Sequence, residues 1–245
     1  MRKQVAIIML LMFFMNGIAY SEGAFCVRTH KSSFNKNLVL NFRNYFGKEL
    51  LSLDSMYNVG NQTLITISNI KFYISGLQLY SKNKMVFIDQ NYAHLIDAAI
   101  PQTQQIELDV PNDIQFDRIV FSVGVDSIHN VSGAMNGDLD PYKGMYWTWQ
   151  SGYINLKLEG KFPGHNFPDD NFQYHIGGYQ FPNNAIQKAS IIIPESHSNN
   201  IEIGLNFQDF FKSINLNQST HIMSPSKEAV SIAEKFASLF KVISS

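Results

Sequence analysis

Histidine side chains are the first candidates for chemistry in this chain, which contains seven of them. Neutral imidazole is the commonest protein ligand for copper or zinc. No two of these histidines are two or four positions apart, so none forms a local metal-binding motif. A metal site would therefore have to be assembled from distant segments, as loops at one end of a β-sandwich can do. Taken singly, each histidine is more simply a hydrogen-bonded structural residue.

Asp126 and His129 form the sharpest local pattern. Asp126 directly follows a strand-like segment that ends in Val123-Gly124-Val125, and its carboxylate could orient the imidazole of His129. His129 precedes a turn-like Asn-Val-Ser-Gly segment, so its ring can project from the rim of a sheet. If the chain has a metal site, we expect His129 to be a ligand, helped by His94, His175 or Asp126.

Two further carboxylates, Asp138 and Asp140, lie among turn residues. The sequence Asp138-Leu139-Asp140 resembles half of a calcium-binding loop, but it lacks the glycine and the terminal glutamate of the full pattern. In the simpler interpretation each aspartate caps its own backbone in a Gly-Asp or Asp-Pro turn. Because imidazole nitrogen favours the later transition metals and oxygen donors favour calcium, a site built on His129 suits copper better.

The two tryptophans of the chain, Trp147 and Trp149, are two residues apart. On a strand their side chains would share one face. Packing in the core or on the sheet surface is the simpler interpretation. The functional alternative is a redox-active indole pair that a peroxidase could oxidise at a distance.

Composition excludes several classes of function. A net charge of −1 and a pI near 6.6 leave no basic footprint for nucleic acid. The single cysteine cannot form an internal disulfide. The chain has no Gly-x-Ser-x-Gly, His-Glu-x-x-His, P-loop or Gly-x-Gly-x-x-Gly motif. We therefore expect a protein that is not an enzyme and has no catalytic residues.

The N-terminus has the features of a secretory signal peptide. Arg2 and Lys3 precede an apolar run that is too short to span a bilayer, and Ala19-Tyr20-Ser21 is a small-x-small cleavage site. We expect residues 1–21 to be removed and residues 22–245 to form one domain, periplasmic or at the cell surface, with no later transmembrane segment. A lipid anchor on Cys26 is disfavoured because Phe25 stands where a lipobox needs a small residue.

The remaining chain is dominated by strand signals. Alternating apolar residues and turn punctuation predict about nine short strands and a single all-β sandwich. Within 64–80 the period-two pattern changes phase, which indicates two strands or one bulged strand. Residues 147–159 are predicted as one strand. Ser224-Pro225 followed by apolar residues at helical spacing predicts a short C-terminal helix starting near Pro225, and Asp209-Phe210-Phe211 indicates a turn of helix.

Several segments together resemble the MbnP-like family of exported copper-associated proteins, over about residues 38–240. The most specific is Met145-Tyr146-Trp147-Thr148-Trp149-Gln150-Ser151-Gly152-Tyr153. The supporting segments are Phe72-Tyr73-Ile74-Ser75-Gly76-Leu77-Gln78-Leu79, His94-Leu95-Ile96-Asp97, Phe121-Ser122-Val123-Gly124-Val125-Asp126 and Tyr174-His175-Ile176-Gly177-Gly178. The variant is similar to a Bacteroidetes-type branch.

This resemblance implies a mainly β exported protein with copper as its cofactor. Some family members bind copper through histidine and kynurenine, an oxidised tryptophan that a MauG-like dihaem peroxidase makes. Such a peroxidase is therefore the expected partner, and Trp147 and Trp149 are the candidates for redox modification. The chain lacks the paired-cysteine segment of the copper-binding members, since it has one cysteine. The competing hypothesis is a metal-free interaction or ligand-binding sandwich that uses exposed aromatic residues such as Trp147 and Tyr153.

Overall fold

The computed structural model describes residues 35–60, 63–149, 152–162, 171–194, 198–216 and 220–243. The predicted signal peptide and Cys26 lie outside these ranges. The described strands are β1 (Asn35–Phe46), β2 (Glu49–Leu50), β3 (Met56–Gly60), β4 (Thr63–Ser81), β5 (Lys84–Ile88), β6 (Ala93–Asp97), β7 (Gln105–Pro111), β8 (Arg118–Val123), β9 (Tyr146–Trp147), β10 (Gly152–Lys161), β11 (Asn171–Gly177), β12 (Gln187–Ile192), β13 (Asn200–Asn206), β14 (His221–Ile222) and β15 (Lys241–Val242). The α-helices are α1 (Ser127–Val131), α2 (Phe207–Ser213) and α3 (Lys227–Ala237).

The strands form two sheets that share one apolar core, so the predicted all-β sandwich is confirmed. The smaller sheet has the order β15-β13-β1-β2, with β7 also paired to β1. The larger sheet has the order β12-β8-β4-β10-β11-β14, with β3, β5 and β6 on β4 and β9 on β10. Phe42 of the smaller sheet lies 6.3 Å, between ring centroids, from both Phe72 and Phe121 of the larger one. No helix in the described ranges is long and apolar enough to cross a membrane.

Strand β4 is the central strand of the larger sheet and explains the phase change in the sequence. It is one strand of 19 residues, not two. Its pairing with β10 shifts register between Glu159 and Gly160, opposite Asn69 and Ile67. Because the bulge adds one residue to the strand, the inward-facing positions shift by one, and Ile67 and Ile70 both face the core although they are three residues apart. Of the two alternatives that the sequence left open, the structure shows the single bulged strand.

The predicted C-terminal helix closes the core. It begins at Lys227 rather than at Pro225, because the hydroxyl of Ser226 accepts a hydrogen bond from the Ala229 backbone N–H at 3.0 Å and caps the helix. Phe236 packs edge-on against Phe72, with 5.2 Å between ring centroids. Burying one such phenylalanine contributes about 2–3 kcal/mol, which fixes the helix to the sheet.

The larger sheet divides at Tyr73, and this division creates room for the candidate site. Phe72 of β4 pairs with Leu156 of β10, whereas Ile74 pairs with Val123 of β8. Phe72 and Ile74 of β4 both also pair with β6, which lies along the opposite edge of β4. Strands β10 and β8 therefore lie along the same edge of β4, one after the other. The chain between them, of which residues 124–149 are described, is called the platform loop below.

Candidate metal and tryptophan site

The platform loop is held by a small core of its own, separate from the main core. Its buried residues are Tyr73, Leu95, Val125, Leu139, Met145, Trp147, Tyr153 and Ile154. The Tyr153 hydroxyl donates to the Leu139 carbonyl at 2.9 Å and accepts from the Met135 N–H at 3.1 Å. The Tyr73 hydroxyl donates to the Asp138 carbonyl at 3.0 Å. Burial raises the pKa of both phenols, so they remain protonated donors that tie loop carbonyls to the sheet.

Asn130 joins the short helix α1 to strand β10. Its Nδ2 donates to the carbonyls of Val125 and Asp126 at 2.6 and 2.8 Å, and its Oδ1 accepts from the Tyr153 N–H at 2.8 Å. The side chain is almost completely buried. A helix of five residues cannot sustain itself in water, so these tertiary hydrogen bonds position it.

Two lysines carry the second half of the platform loop. Lys71 and Lys157 lie directly opposite each other on β4 and β10. Their Nζ atoms donate to the carbonyls of Lys143 and Gly144 at 3.4 and 2.6 Å. Lys71 is also paired with the buried Asp97 at 2.9 Å, and burial lowers the pKa of Lys157. These contacts place the chain just before the tryptophan pair.

Asp126 and His129 meet as the sequence predicts. Asp126 Oδ1 caps α1 by accepting from the His129 backbone N–H at 2.9 Å, and it lies 2.8 Å from His129 Nδ1. Burial raises the pKa of Asp126, but the two hydrogen bonds from His129 outweigh it and hold that pKa below its usual value. Among the described residues His129 Nε2 has no hydrogen-bond partner, so this nitrogen is available to a ligand.

Tyr92 completes this cluster, and sequence reasoning missed it. Its ring stacks on the imidazole of His129, with 3.3 Å between centroids and 12° between planes. Its hydroxyl accepts from the Asp126 backbone N–H at 2.6 Å, and burial raises the pKa of Tyr92 to about 12. Tyr92 and Asp126 are 34 positions apart in sequence, so no local pattern links them.

The other two predicted ligands are each engaged with a carboxylate elsewhere. His94 Nε2 lies 2.5 Å from Asp89 Oδ2. His175 Nε2 lies 2.6 Å from Glu159 Oε1, and Glu159 also accepts from Asn69 at 2.8 Å. The hydrogen bond from His175 lowers the pKa of Glu159 to about 2.

The described residues therefore do not form a ready copper site. They contain no group of three or more histidine, cysteine, aspartate or glutamate side chains that could hold a metal ion. Of the four predicted ligands, the structure brings only Asp126 and His129 into contact. The histidines at 30, 165 and 197 lie outside the described residues.

Asp138 and Asp140 have structural roles in the platform loop. Asp138 Oδ2 accepts from the Leu95 N–H at 3.0 Å and its Oδ1 lies 2.5 Å from Lys143 Nζ. Asp140 Oδ1 accepts from the Tyr142 N–H at 2.9 Å and caps a short 3-10 helix. Asp140 therefore caps its own turn, as the simpler interpretation predicts. Asp138 does not, because both of its oxygens bind Leu95 and Lys143.

The two tryptophans contact each other, although the predicted single strand over 147–159 is wrong. Strand β9 ends at Trp147, and Trp149 lies in a turn before β10 begins at Gly152. The ring centroids are 5.7 Å apart, at 42°. Trp147 is 5% exposed and Trp149 is 66% exposed, so the pair connects the protein surface to the small core. The buried Nε1 of Trp147 has no hydrogen-bond partner among the described residues.

Comparison with known proteins places the chain in a family. A family model, MbnP, matches residues 35–224. Among solved structures, MbnP from Methylosinus trichosporium is similar, with a TM-score of 0.57 and 15% sequence identity over 80% of this chain and 87% of that one. At this identity the structural likeness shows the fold alone. No curated protein matches the chain. Because the family model covers well over half of the residues, the chain belongs to the MbnP family.

Proposed function

We propose that this chain is an exported, non-catalytic metal-binding protein, that its metal is copper, and that it acts with a MauG-like dihaem peroxidase. The observation that carries the proposal is the His129 imidazole. Asp126 and Tyr92 hold this ring while its Nε2 is left without a partner among the described residues. A histidine that ligates a metal almost always donates its other ring N–H to a carboxylate or carbonyl, as His129 Nδ1 can do here.

One imidazole is too few for tight binding of copper. The described residues supply no second and third donor beside His129. In this proposal an oxidised tryptophan supplies a missing donor. The family resemblance supports this source, because kynurenine completes the copper site in some members.

Trp149 is the side chain on which the peroxidase acts in this proposal. Its indole is largely exposed, so a partner protein can approach it, and it contacts the buried ring of Trp147. Indoles are electron-rich, so an electron can leave the exposed ring towards an oxidant on the partner. The chain is then a substrate of the peroxidase and has no catalytic residue of its own.

A copper titration with matched variants tests the metal-binding part of the proposal. Cuprous and cupric copper are titrated into the chain after treatment with the peroxidase and peroxide. We expect His129→Ala to weaken binding at least tenfold, because it removes a donor. Asp126→Asn should weaken it by a smaller factor, because it removes only the group that orients the ring.

The control is His221→Ala, which removes an exposed imidazole on β14 and should leave the affinity unchanged. Equal affinity in the wild type and in His129→Ala would remove His129 from the site. An absence of tight binding in every protein, peroxidase-treated or not, would refute the copper proposal.

A further inference from the structure

A cavity of about 590 Å³ opens at the end of the smaller sheet where β1 and β13 finish. It lies among the turn after β1, strands β13 and β15, helix α2 and the end of α3. Its volume is within the range of about 300–1,000 Å³ that small-molecule sites occupy. None of the described residues that line it belongs to the platform loop, so this cavity is separate from the candidate metal and tryptophan site.

The floor of the cavity is apolar, and Gly204 of β13 determines its shape. The φ of Gly204 lies outside the left-handed region, so its conformation does not require glycine. A Cβ there would lie 2.7 Å from Cδ1 of Ile243 and 3.6 Å from Cε2 of Tyr45. The glycine is therefore needed for space, because it lets these two side chains lie against bare backbone. The buried side chain of Leu239 adds a third apolar surface.

Three lysines, Lys48, Lys235 and Lys241, line the same cavity. They come from the turn after β1, the last turn of α3 and strand β15. Among the described residues, none of the three ammonium groups has a carboxylate or hydrogen-bond partner. Asp209 of α2 is the one acidic residue among the described residues that line the cavity. The lining is therefore positively charged, although the whole chain has a net charge of −1.

Hydrogen bonds fix two of the segments that carry these lysines. Asn206 Oδ1 accepts from the Gly47 N–H at 3.0 Å, and Asn206 Nδ2 donates to the Gly47 carbonyl at 3.2 Å. The same Oδ1 accepts from the Gln208 N–H at 3.1 Å and caps α2. The Ile243 N–H donates to the Glu202 carbonyl at 2.9 Å, which holds β15 against β13. Fixed segments lose less conformational entropy when a ligand binds to them.

Positive charge beside an apolar floor matches an anion that has an apolar body. Lysine at an edge strand or in the last turn of a helix has structural reasons of its own, but these do not account for three lysines that share one cavity. Like charges that share a cavity repel one another, and an anionic group between them relieves this repulsion. Ammonium groups also form charge-assisted hydrogen bonds with carboxylates. An apolar body on the floor would remove two apolar surfaces from water.

We infer that this cavity binds a small carboxylate that carries an aliphatic chain. The chain lies on the three apolar side chains of the floor, and the three lysines hold the carboxylate. This site is additional to the proposed copper function and does not depend on it.

Isothermal titration calorimetry of the mature chain, residues 22–245, tests the inference. The probe is decanoate, used below its micelle concentration, and we expect saturable binding with a dissociation constant on the order of 0.1 mM. Two matched probes separate charge from chain. Decyltrimethylammonium keeps the chain and reverses the charge, and acetate keeps the charge and loses the chain. Each should bind at least tenfold more weakly than decanoate.

Lys48→Gln and Lys241→Gln change exposed side chains, so both variants should fold. Each should weaken decanoate about threefold, because one solvent-screened charge contact is lost, and the double variant about tenfold. Asp209→Asn should tighten decanoate, because it removes a like charge. Ile243→Ala should weaken decanoate severalfold, because it removes part of the floor. Lys84→Gln, on β5 of the larger sheet, is the matched control and should leave the affinity unchanged.

The absence of saturable binding by decanoate would overturn the inference. So would equal affinity for decanoate and decyltrimethylammonium, or unchanged affinity in both the double lysine variant and Ile243→Ala. Vesicles of phosphatidylglycerol distinguish a free carboxylate from a membrane surface. Sedimentation of the chain with these vesicles, without binding of decanoate, would assign the lysines to lipid headgroups and would also overturn the inference. None of these results bears on copper binding by His129.

Discussion

Asn130→Ala should destabilise the platform loop more than any other single truncation of a polar side chain in α1. The substitution removes three hydrogen bonds and leaves the Val125 carbonyl and the Tyr153 N–H without the Asn130 side chain. The Asp126 carbonyl keeps the bond that it accepts from the Asn130 backbone N–H. At about 1 kcal/mol for each buried hydrogen bond, the expected loss in the free energy of unfolding is about 3 kcal/mol. Ser132→Ala is the matched control, because its exposed hydroxyl makes a single bond to the Ile128 carbonyl at 2.8 Å. It should change the free energy of unfolding by less than about 0.5 kcal/mol.

Denaturant unfolding followed by tryptophan fluorescence measures both changes, since both tryptophans lie on the platform loop or its β9 strand. Hydrogen exchange then shows whether the loss is local. In Asn130→Ala the amides of the platform loop should exchange faster, while those of β1 and β13 keep their protection. Equal stability of Asn130→Ala and Ser132→Ala would refute the view that Asn130 positions the loop.

Two other contacts, between His175 and Glu159 and between Gly124 and Asn155, can be tested by single substitutions. His175→Ala should return the pKa of Glu159 from about 2 towards its usual 4.5, measured by NMR titration. A carboxyl group whose pKa is lowered in the folded state stabilises the fold above pH 4.5, and this stabilisation is lost as the pH falls towards 2. The variant should therefore lose less stability between pH 4.5 and pH 2 than the wild type does. An unchanged pKa of Glu159 would contradict the role given to His175. Gly124→Ala should cost about 3 kcal/mol, because its Cβ would lie 2.5 Å from Asn155 Cγ at a φ of +121°. Gly133→Ala, with a φ of +79° and open space around it, should cost about 1 kcal/mol, and equal costs would exclude a steric role for Asn155.

The fold could be predicted from sequence where residues alternate. The apolar positions of β4 follow period two on either side of the bulge, and the amphipathic spacing of α3 is regular. Two strands of five residues, β3 and β6, were not predicted. The alternation of β3 is formed by partly exposed residues, and β6 follows closely after the polar run Asp89-Gln90-Asn91, which is typical of a loop.

The candidate site was predictable only where its partners are close in sequence. Asp126 and His129 are three positions apart within one capped turn, so the pair was foreseen. His175 and Glu159 meet because β10 and β11 pair antiparallel with Glu159 opposite Gln173, which puts His175 on the diagonal. This register depends on the β-bulge in β10 and on the main core, neither of which a local pattern encodes.

The break between Trp147 and β10 has a similar origin. The sequence predicts one continuous strand over residues 147–159 because Ile154, Leu156 and Leu158 alternate with polar residues. In the structure, Tyr146 and Trp147 pair back onto Tyr153 and Gly152 as a separate short strand. The chain therefore reverses within the family motif, and that reversal brings the indoles into contact.

The most direct test of the proposed function is a native mass spectrum of the protein purified from its own exported compartment, which reports bound metal and side-chain oxidation together. We predict a mature chain that lacks residues 1–21, carries copper and contains an oxidised tryptophan that peptide mapping assigns to Trp149. A chain with two intact tryptophans and no copper would contradict the account.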